Sequence, residues 1–299
     1  MSVSKSNSIE EGIKSYFGDS VTILDFINVS GGDINEAQCI RLSNGERIFV
    51  KKNSIKNEKF FIAEEIGLNA IAQTGTINVP KLLFRGADTS KGHTFLAMEY
   101  LAGGRRIDEF WEEFGQSLAK MHRASTEQFV SAGKYGFDTD NYIGATNQIN
   151  DPKDSWLDFF RECRLEHQFK MAEAYFDRSA IKKSLKLLDN LPKYLTEPAK
   201  PSLLHGDLWS GNYIVGDDGR AWLIDPAVYV GHAEADLAMT ELFGRFPSAF
   251  YASYKATNPL EPGYEDRRDL YNLYHLLNHL NLFGGGYYSA VMETVKYYV

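Results

Sequence analysis

The stretch that most constrains this chain is LLHGDLWSGNYIVGDDGRAWLID, running from Leu203 to Asp225. Two short apolar runs, Tyr213-Ile214-Val215 and Ala221-Trp222-Leu223-Ile224, flank the turn Gly216-Asp217-Asp218-Gly219, a pattern that predicts a hairpin. Asp207 and Asn212 stand five residues apart in the glycine-containing loop before it, and Asp225 follows thirteen residues beyond Asn212. Because a hairpin returns its ends to one place, Asp225 is expected beside Asn212. That offers two oxygen ligands to a hard cation such as Mg2+, with Asp207 close by and not needed for the metal.

Phosphoryl transfer from ATP needs this division of labour. Metal ions neutralise the phosphates, while a separate carboxylate orients the attacking hydroxyl and accepts its proton. Asp207 is the expected base; Asn212 and Asp225 are the expected metal ligands. The loop H-G-D-L-W-S-G-N keeps the Asp-to-Asn spacing of the kinase pattern H-R-D-x-x-x-x-N, and the later Asp225 heads D-P-A instead of D-F-G. Gly206 replaces the arginine that engages a phosphorylated activation loop in protein kinases, and no A-P-E segment follows, so regulation of that type is not expected. H-G-D loops instead resemble small-molecule kinases of this fold, such as aminoglycoside and choline phosphotransferases.

The rest of the chain supplies a frame for such a loop. Residues 21–29, 36–42, 47–52, 82–86 and 94–100 read as strands, with an Asn44-Gly45 turn between the second and third, and 58–73 reads as a helix. Ile9, Ile13 and Phe17 also fall at helical spacing. After Gly103-Gly104 the character turns helical: Ile107, Phe110, Trp111, Phe114, Leu118 and Met121 recur at three- and four-residue steps, with similar stripes at 155–176, 178–190, 233–243 and 264–282. The expected fold is α+β and protein-kinase-like with two lobes. Residues 1–101 form a nucleotide-binding lobe, a small five-stranded antiparallel sheet with one helix. Residues 102–299 form a larger, mainly helical lobe for catalysis and substrate binding, with a cleft between the two.

A kinase small lobe anchors phosphates with a strand lysine that a helix glutamate orients. Ile48-Phe49-Val50-Lys51 ends an apolar strand, and Glu64 lies thirteen residues on in the following helix. Lys51 and Glu64 are favoured over their neighbours Lys52 and Glu65, since strand alternation and helical phase let only one of each face the cleft. Ser30-Gly31-Gly32-Asp33-Ile34-Asn35 is the candidate phosphate loop, with Gly31, Gly32 and Asn35 at its backbone, although such a glycine pair is more often a plain turn. The apolar strand ending Met98-Glu99-Tyr100-Leu101 runs into Gly103-Gly104, where a hinge belongs. There the backbone of Glu99 and Leu101 is expected to read the adenine edge, with Met98 behind it. His205 and Asp236 read as braces of the catalytic loop, and Trp209, between base and metal ligand, as a substrate contact. The aromatic tail with Tyr287, Tyr288, Tyr297 and Tyr298 reads as packing.

Bulk properties narrow the classes of partner. A formal charge of −8 opposes a nucleic-acid partner, which needs a net basic face. Cys39 and Cys163 are the two cysteines, in no metal-like spacing, and read as reduced thiols. No leader-like or membrane-spanning apolar run occurs, so a cytoplasmic protein without a membrane partner is expected. A monomer or weak dimer is expected as well.

HGDLWSGN followed by DPAVYVGHAEADLAMTELFG resembles the fructosamine kinase (ketosamine 3-kinase) family. SGGDIN, FVKKN, MEYL, FDTDNYIGATNQIN and RRDLYNLYHLLNHLNLFGGGY extend the likeness over nearly the whole chain from about residue 10. The resemblance implies ATP- and Mg2+-dependent phosphorylation of the sugar 3-hydroxyl of ketosamines, whether small molecules or glycated protein lysines. The phosphorylated adduct then decomposes, which makes the activity a deglycating repair. It further implies Asp207 as proton acceptor, metal at Asn212 and Asp225, adenine at Glu99, Tyr100 and Leu101, sugar packing on Trp209, and a pocket shaped by Asn141, Tyr142 and Gln148. Where some members carry a cysteine in the phosphate loop this chain has Asp33, so no redox switch is expected there. The competing readings are another small-molecule kinase, of aminoglycoside or choline type, and a catalytically inactive nucleotide-binding module.

Overall fold

A computed structural model describes residues 3–29 and 35–299, and the chain divides into two compact units. The first comprises residues 1–73, 78–110 and 214–225, the second 74–77, 111–213 and 226–299.

The first unit is built on one sheet of six strands: β1 Ser4–Ser6, β2 Ile23–Asn28, β3 Glu36–Leu42, β4 Arg47–Ser54, β5 Leu82–Asp88 and β6 His93–Glu99. Their order is β1-β5-β6-β4-β3-β2. Strands β2 to β6 pair antiparallel and are the five that alternation predicts. A sixth, β1, joins parallel to β5 with Ser4 opposite Phe84. Three residues carry no periodic signal, so sequence patterning passes over it. Gly86 permits this edge, because a β-carbon there would stand 1.8 Å from the Ser6 carbonyl oxygen.

Two helices, one more than expected, cover this sheet: α1 Ile9–Phe17 and α2 Glu58–Gln73. Helix α1 starts where the Ser8 side chain accepts the Glu11 N–H. Alternation along β4 sorts the two faces. Ile48 and Val50 join Ile9, Ile13, Phe84 and Phe95 in one apolar cluster, while Phe49 turns to Phe61, Leu68, Leu96 and Met98 on the α2 side. Lys51, two residues past Phe49, therefore faces α2, and Lys52 does not.

The second unit follows with α3 Phe110–Arg123, the pair β7 Asn141–Ile143 and β8 Thr146–Gln148, then α4 Trp156–Phe159, α5 His167–Met171 and α6 Arg178–Asn190. A π-helical turn, Phe160–Glu166, joins α4 to α5. Strand β9 Ser202–Leu204 leads into the loop that carries Asp207, after which β10 Tyr213–Val215 and β11 Ala221–Leu223 form the predicted hairpin. Residues 214–225 belong to the first unit, where Gly104 N–H donates to Val215 O at 3.1 Å and Leu223 N–H to Asn78 O at 2.8 Å. The chain resumes in the second unit with β12 Tyr229–Gly231, antiparallel to β9, then α7 Glu234–Leu242, α8 Ser248–Thr257, α9 Tyr264–Phe283 and α10 Tyr288–Tyr297.

Helix α9 is central to the second unit. Leu270 through Asn278 are buried without interruption, so it is covered on every side. Its polar members Asn272, His275 and Asn278 are thereby placed inside protein. In the aromatic tail Tyr298 is buried against Tyr194 as expected, whereas Tyr297 is 69% exposed. Both cysteines are buried free thiols, and no helix among the described residues is long and apolar enough to cross a membrane.

Candidate active site

In the first unit, Lys51 sits between two carboxylates. Its Nζ donates to Glu64 Oε1 at 2.6 Å and also to Asp225 Oδ1. Burial opposes a charge on Lys51, but the two carboxylates outweigh it and hold the ammonium well above its usual range. Glu64 is pushed up to about 7, first by burial and then by the Asp225 charge, with Lys51 pulling the other way. Asp225 keeps the more exposed carboxylate and has φ 53°, the one positive value outside glycine among the described residues. Aspartate tolerates that left-handed geometry better than most side chains.

The neighbouring alternatives have other partners. Lys52 reaches Glu36 at 3.7 Å near the surface. Glu65 is buried, accepts the Val3 N–H at 2.9 Å and pairs with Arg85, tying α2 to the edge strands. Along α2, Glu64 and Glu65 point to different neighbours, which settles geometrically which lysine and glutamate meet.

In the second unit, Asp207 lies in the loop after β9 and Asn212 crosses back to it. Asn212 Nδ2 donates to the Asp207 carbonyl oxygen at 2.7 Å and to Asp207 Oδ2 at 3.0 Å. The loop is held from beneath by Asp236 on α7, which accepts the His205 N–H at 2.7 Å and the Gly206 N–H at 2.9 Å, as the sequence reading of a brace expects. His205 braces in turn, its Nδ1 accepting the Asp207 N–H at 3.3 Å and its carbonyl the Ala227 N–H at 2.8 Å. Gly206, with φ 83°, is obligatory: a β-carbon would meet the Ala227 carbonyl oxygen at 1.9 Å. Burial would raise the Asp236 carboxyl, yet the bond from His122 and the charges around it hold it below the ordinary carboxylate range.

The remaining predicted residues are placed as follows. Asn141 and Gln148 are buried on the β7–β8 pair with their amides engaged by backbone: Asn141 Nδ2 donates to Val228 O at 2.6 Å, Gln148 Nε2 to Ala227 O at 2.9 Å. They position the segment after Asp225 from inside the second unit. Tyr142 between them is half-buried. Trp209 is 36% exposed, edge-on to Phe243 at 6.3 Å. In the first unit Met98 is buried against α2, the Glu99 N–H donates to Lys81 O at 2.9 Å, and the Arg47 guanidinium lies 4.7 Å over the Tyr100 ring. Leu101 is half-buried just beyond β6. Asn35 accepts from Asn53 Nδ2 at 2.7 Å, while Gly31 and Gly32 lie outside the described residues.

Three supporting residues escape sequence reasoning. Arg164, in the π-helical turn, is fully buried with its guanidinium 3.9 Å over Tyr229 and 5.4 Å from the Tyr274 ring centre, and donates to Asn150 Oδ1 at 2.8 Å. Tyr274 OH donates to Gln148 Oε1 at 2.7 Å. His275 sits beside Asp207, Nδ1 to Oδ1 3.9 Å. For Tyr274 and His275 the available signal was polar residues recurring inside the otherwise apolar α9 stripe.

The fructosamine kinase family model matches residues 5–299. A Synechocystis sp. protein named a probable ketoamine kinase is 42% identical over 96% of this chain and 95% of its own length. The chloroplastic protein-ribulosamine 3-kinase of Oryza sativa subsp. indica is 40% identical over 94% of this chain and 81% of its own. A crystal structure named for a fructosamine-3-kinase from Haemophilus somnus 129PT superimposes with a TM-score of 0.85 at 32% identity, covering 98% of this chain and 97% of the other. At 15% and 16% identity and a TM-score of 0.59, structures of an amicoumacin kinase and a choline kinase share the fold alone.

Proposed function

The chain belongs to the fructosamine kinase family, and on that premise we propose that it transfers the γ-phosphoryl group of ATP to the sugar 3-hydroxyl of ketosamines, free or on protein lysines. The observation that carries this reading is the Asn212 amide on the Asp207 carboxylate within H-G-D-L-W-S-G-N, which fixes one carboxylate oxygen and leaves the group oriented. Asp207 takes the proton of the sugar hydroxyl as it attacks. Lys51, kept protonated between Glu64 and Asp225, carries a fixed positive charge for phosphate oxygens. Trp209 offers an exposed aromatic face to the C–H surface of the sugar.

Residues 1–101 serve as the nucleotide-binding lobe in this reading, with Gly31, Gly32, Asn35 and residues 99–101 on the nucleotide, and 102–299 as the catalytic and substrate lobe. Asp225 and Asn212 would hold Mg2+. A carboxylate and an amide oxygen are donors of the right hardness, and magnesium in kinases takes few protein ligands beside phosphate oxygens. The observation that fits is the Asp225 carboxylate, a hard oxygen donor beside Lys51 that is 45% exposed where Glu64 is 11% exposed. When bound, the metal neutralises charge on the transferring phosphates. The phosphorylated adduct then breaks down, so the activity deglycates.

A panel of acceptors with ADP release as the readout tests the reading. Ketosamines are expected to support turnover; turnover of choline or an aminoglycoside with none on any ketosamine sinks it. Comparing fructose- with ribose-derived adducts on the same amine assigns the sugar.

A further inference from the structure

Among the buried polar atoms of the second unit, His275 Nδ1 has no hydrogen-bond partner among the described residues, and it faces the proposed base. The imidazole is 5% exposed and stands 3.9 Å from Asp207 Oδ1. Burial, with the charge of His279 behind it, depresses its pKa to about 3, so this is a neutral ring and no ion pair. Leaving such an atom unsatisfied costs about 1–3 kcal/mol, and of the buried atoms in this state it is the one beside Asp207.

The separation indicates what belongs there. At 3.9 Å the two atoms are too far apart for a direct bond. They are close enough to share a third: an oxygen about 2.8 Å from each subtends roughly 90°, an angle a hydroxyl accommodates while donating to one group and accepting from the other. His275 is also held still. Its neighbour Tyr274 is bonded to Gln148, its own carbonyl lies 2.8 Å from His279 Nδ1, and Gln168 reaches Asn278 one turn on at 3.4 Å.

We propose that His275 is a substrate-positioning residue whose Nδ1–H donates to the acceptor hydroxyl oxygen while that hydroxyl donates to Asp207. The inference rests on the kinase reading above. In the transfer, the acceptor oxygen forms its bond to the γ-phosphorus as the bond to the ADP oxygen breaks, the proton passes to Asp207, and the imidazole neither gains nor loses one. Its contribution is to aim the oxygen lone pair, so an amide nitrogen at the place of Nδ1 does the same work. Asparagine presents one there; leucine fills the space and presents nothing.

The experiment compares wild type, His275→Asn and His275→Leu on a ketosamine and on its 3-deoxy analogue, which lacks the acceptor hydroxyl. His275→Leu is expected to lower kcat/KM for the ketosamine on the order of a hundredfold with KM for ATP unchanged, and His275→Asn to recover to within about tenfold of wild type. Affinity for the 3-deoxy analogue, by calorimetry, stays level across all three. A leucine variant as active as wild type, or one that weakens the 3-deoxy analogue as much as the ketosamine, overturns the proposal. Should His275→Leu not fold, the 15N resonance of His275 Nδ1 in wild type decides: it shifts with the ketosamine and not with the analogue, and equal behaviour with both overturns the inference. Wild type inactive on every ketosamine sinks the kinase reading itself, an outcome distinct from equal activity in wild type and variant.

Discussion

Asp236 Oδ1 accepts the Gly206 N–H at 2.9 Å, and its other oxygen takes both the His205 N–H and the His122 ring. One buried carboxylate thus fixes the two residues that precede the proposed base. Asp236→Ala leaves two buried N–H groups without acceptors and the buried His122 Nε2 without its partner, a loss of about 3–5 kcal/mol. Urea unfolding is the measurement. A variant with the wild-type midpoint would show that the loop holds itself and that Asp236 does not brace it.

Asp207→Asn retains an oxygen to accept the Asn212 amide but cannot take a proton. The fold and nucleotide affinity are expected to survive while kcat falls about 10^2- to 10^4-fold. Turnover near the wild-type rate would remove Asp207 from the role of base.

How far the sequence reaches is seen by comparing Lys51 with His275. Lys51 follows from a local rule, since alternation after Phe49 and helical phase before Leu68 place it opposite Glu64, and the contact at 2.6 Å agrees. Asp207, Asn212 and the hairpin were legible because spacing within one loop fixes them. Strand β1 was not, because three residues joined in parallel to a strand some eighty positions away leave no local trace. His275 and Arg164 lie on helical segments whose pattern says only that they are near a core; what they meet depends on Asp207, Tyr229 and Tyr274, which tertiary packing alone delivers. Asn141 and Gln148 show the same limit. The family resemblance implied a pocket at these positions, and no local pattern announces that both amides also bond backbone at 227 and 228.

Lys51→Met removes the cation shared by Glu64 and Asp225, whereas Lys52→Met removes a 3.7 Å pair near the surface. The first is expected to lower kcat/KM for ATP by at least about a hundredfold, as loss of a phosphate-anchoring charge does. The second shifts stability by less than about 1 kcal/mol and leaves ATP use intact. Steady-state kinetics against ATP separates them, and a reversed order would assign the anchor to Lys52.

His232 gives stability a pH dependence of known sign. Its ring is packed among Trp156 and Tyr271, and burial followed by the Arg267 charge depresses its pKa to about 3. A base whose folded pKa is depressed contributes stability that is whole above its unfolded value, near 6.5, and is lost as pH falls from there toward 3, because the unfolded chain binds the proton and the fold does not. One such imidazole steepens the loss by at most about 1.4 kcal/mol per pH unit. Wild type is therefore expected to lose stability between pH 7 and pH 5, and His232→Phe, although it gives up the 3.2 Å bond from the Glu234 N–H at every pH, to lose less over the same interval. Urea titrations at the two pH values measure the difference of slopes. Equal slopes would mean that His232 takes up its proton within the folded protein.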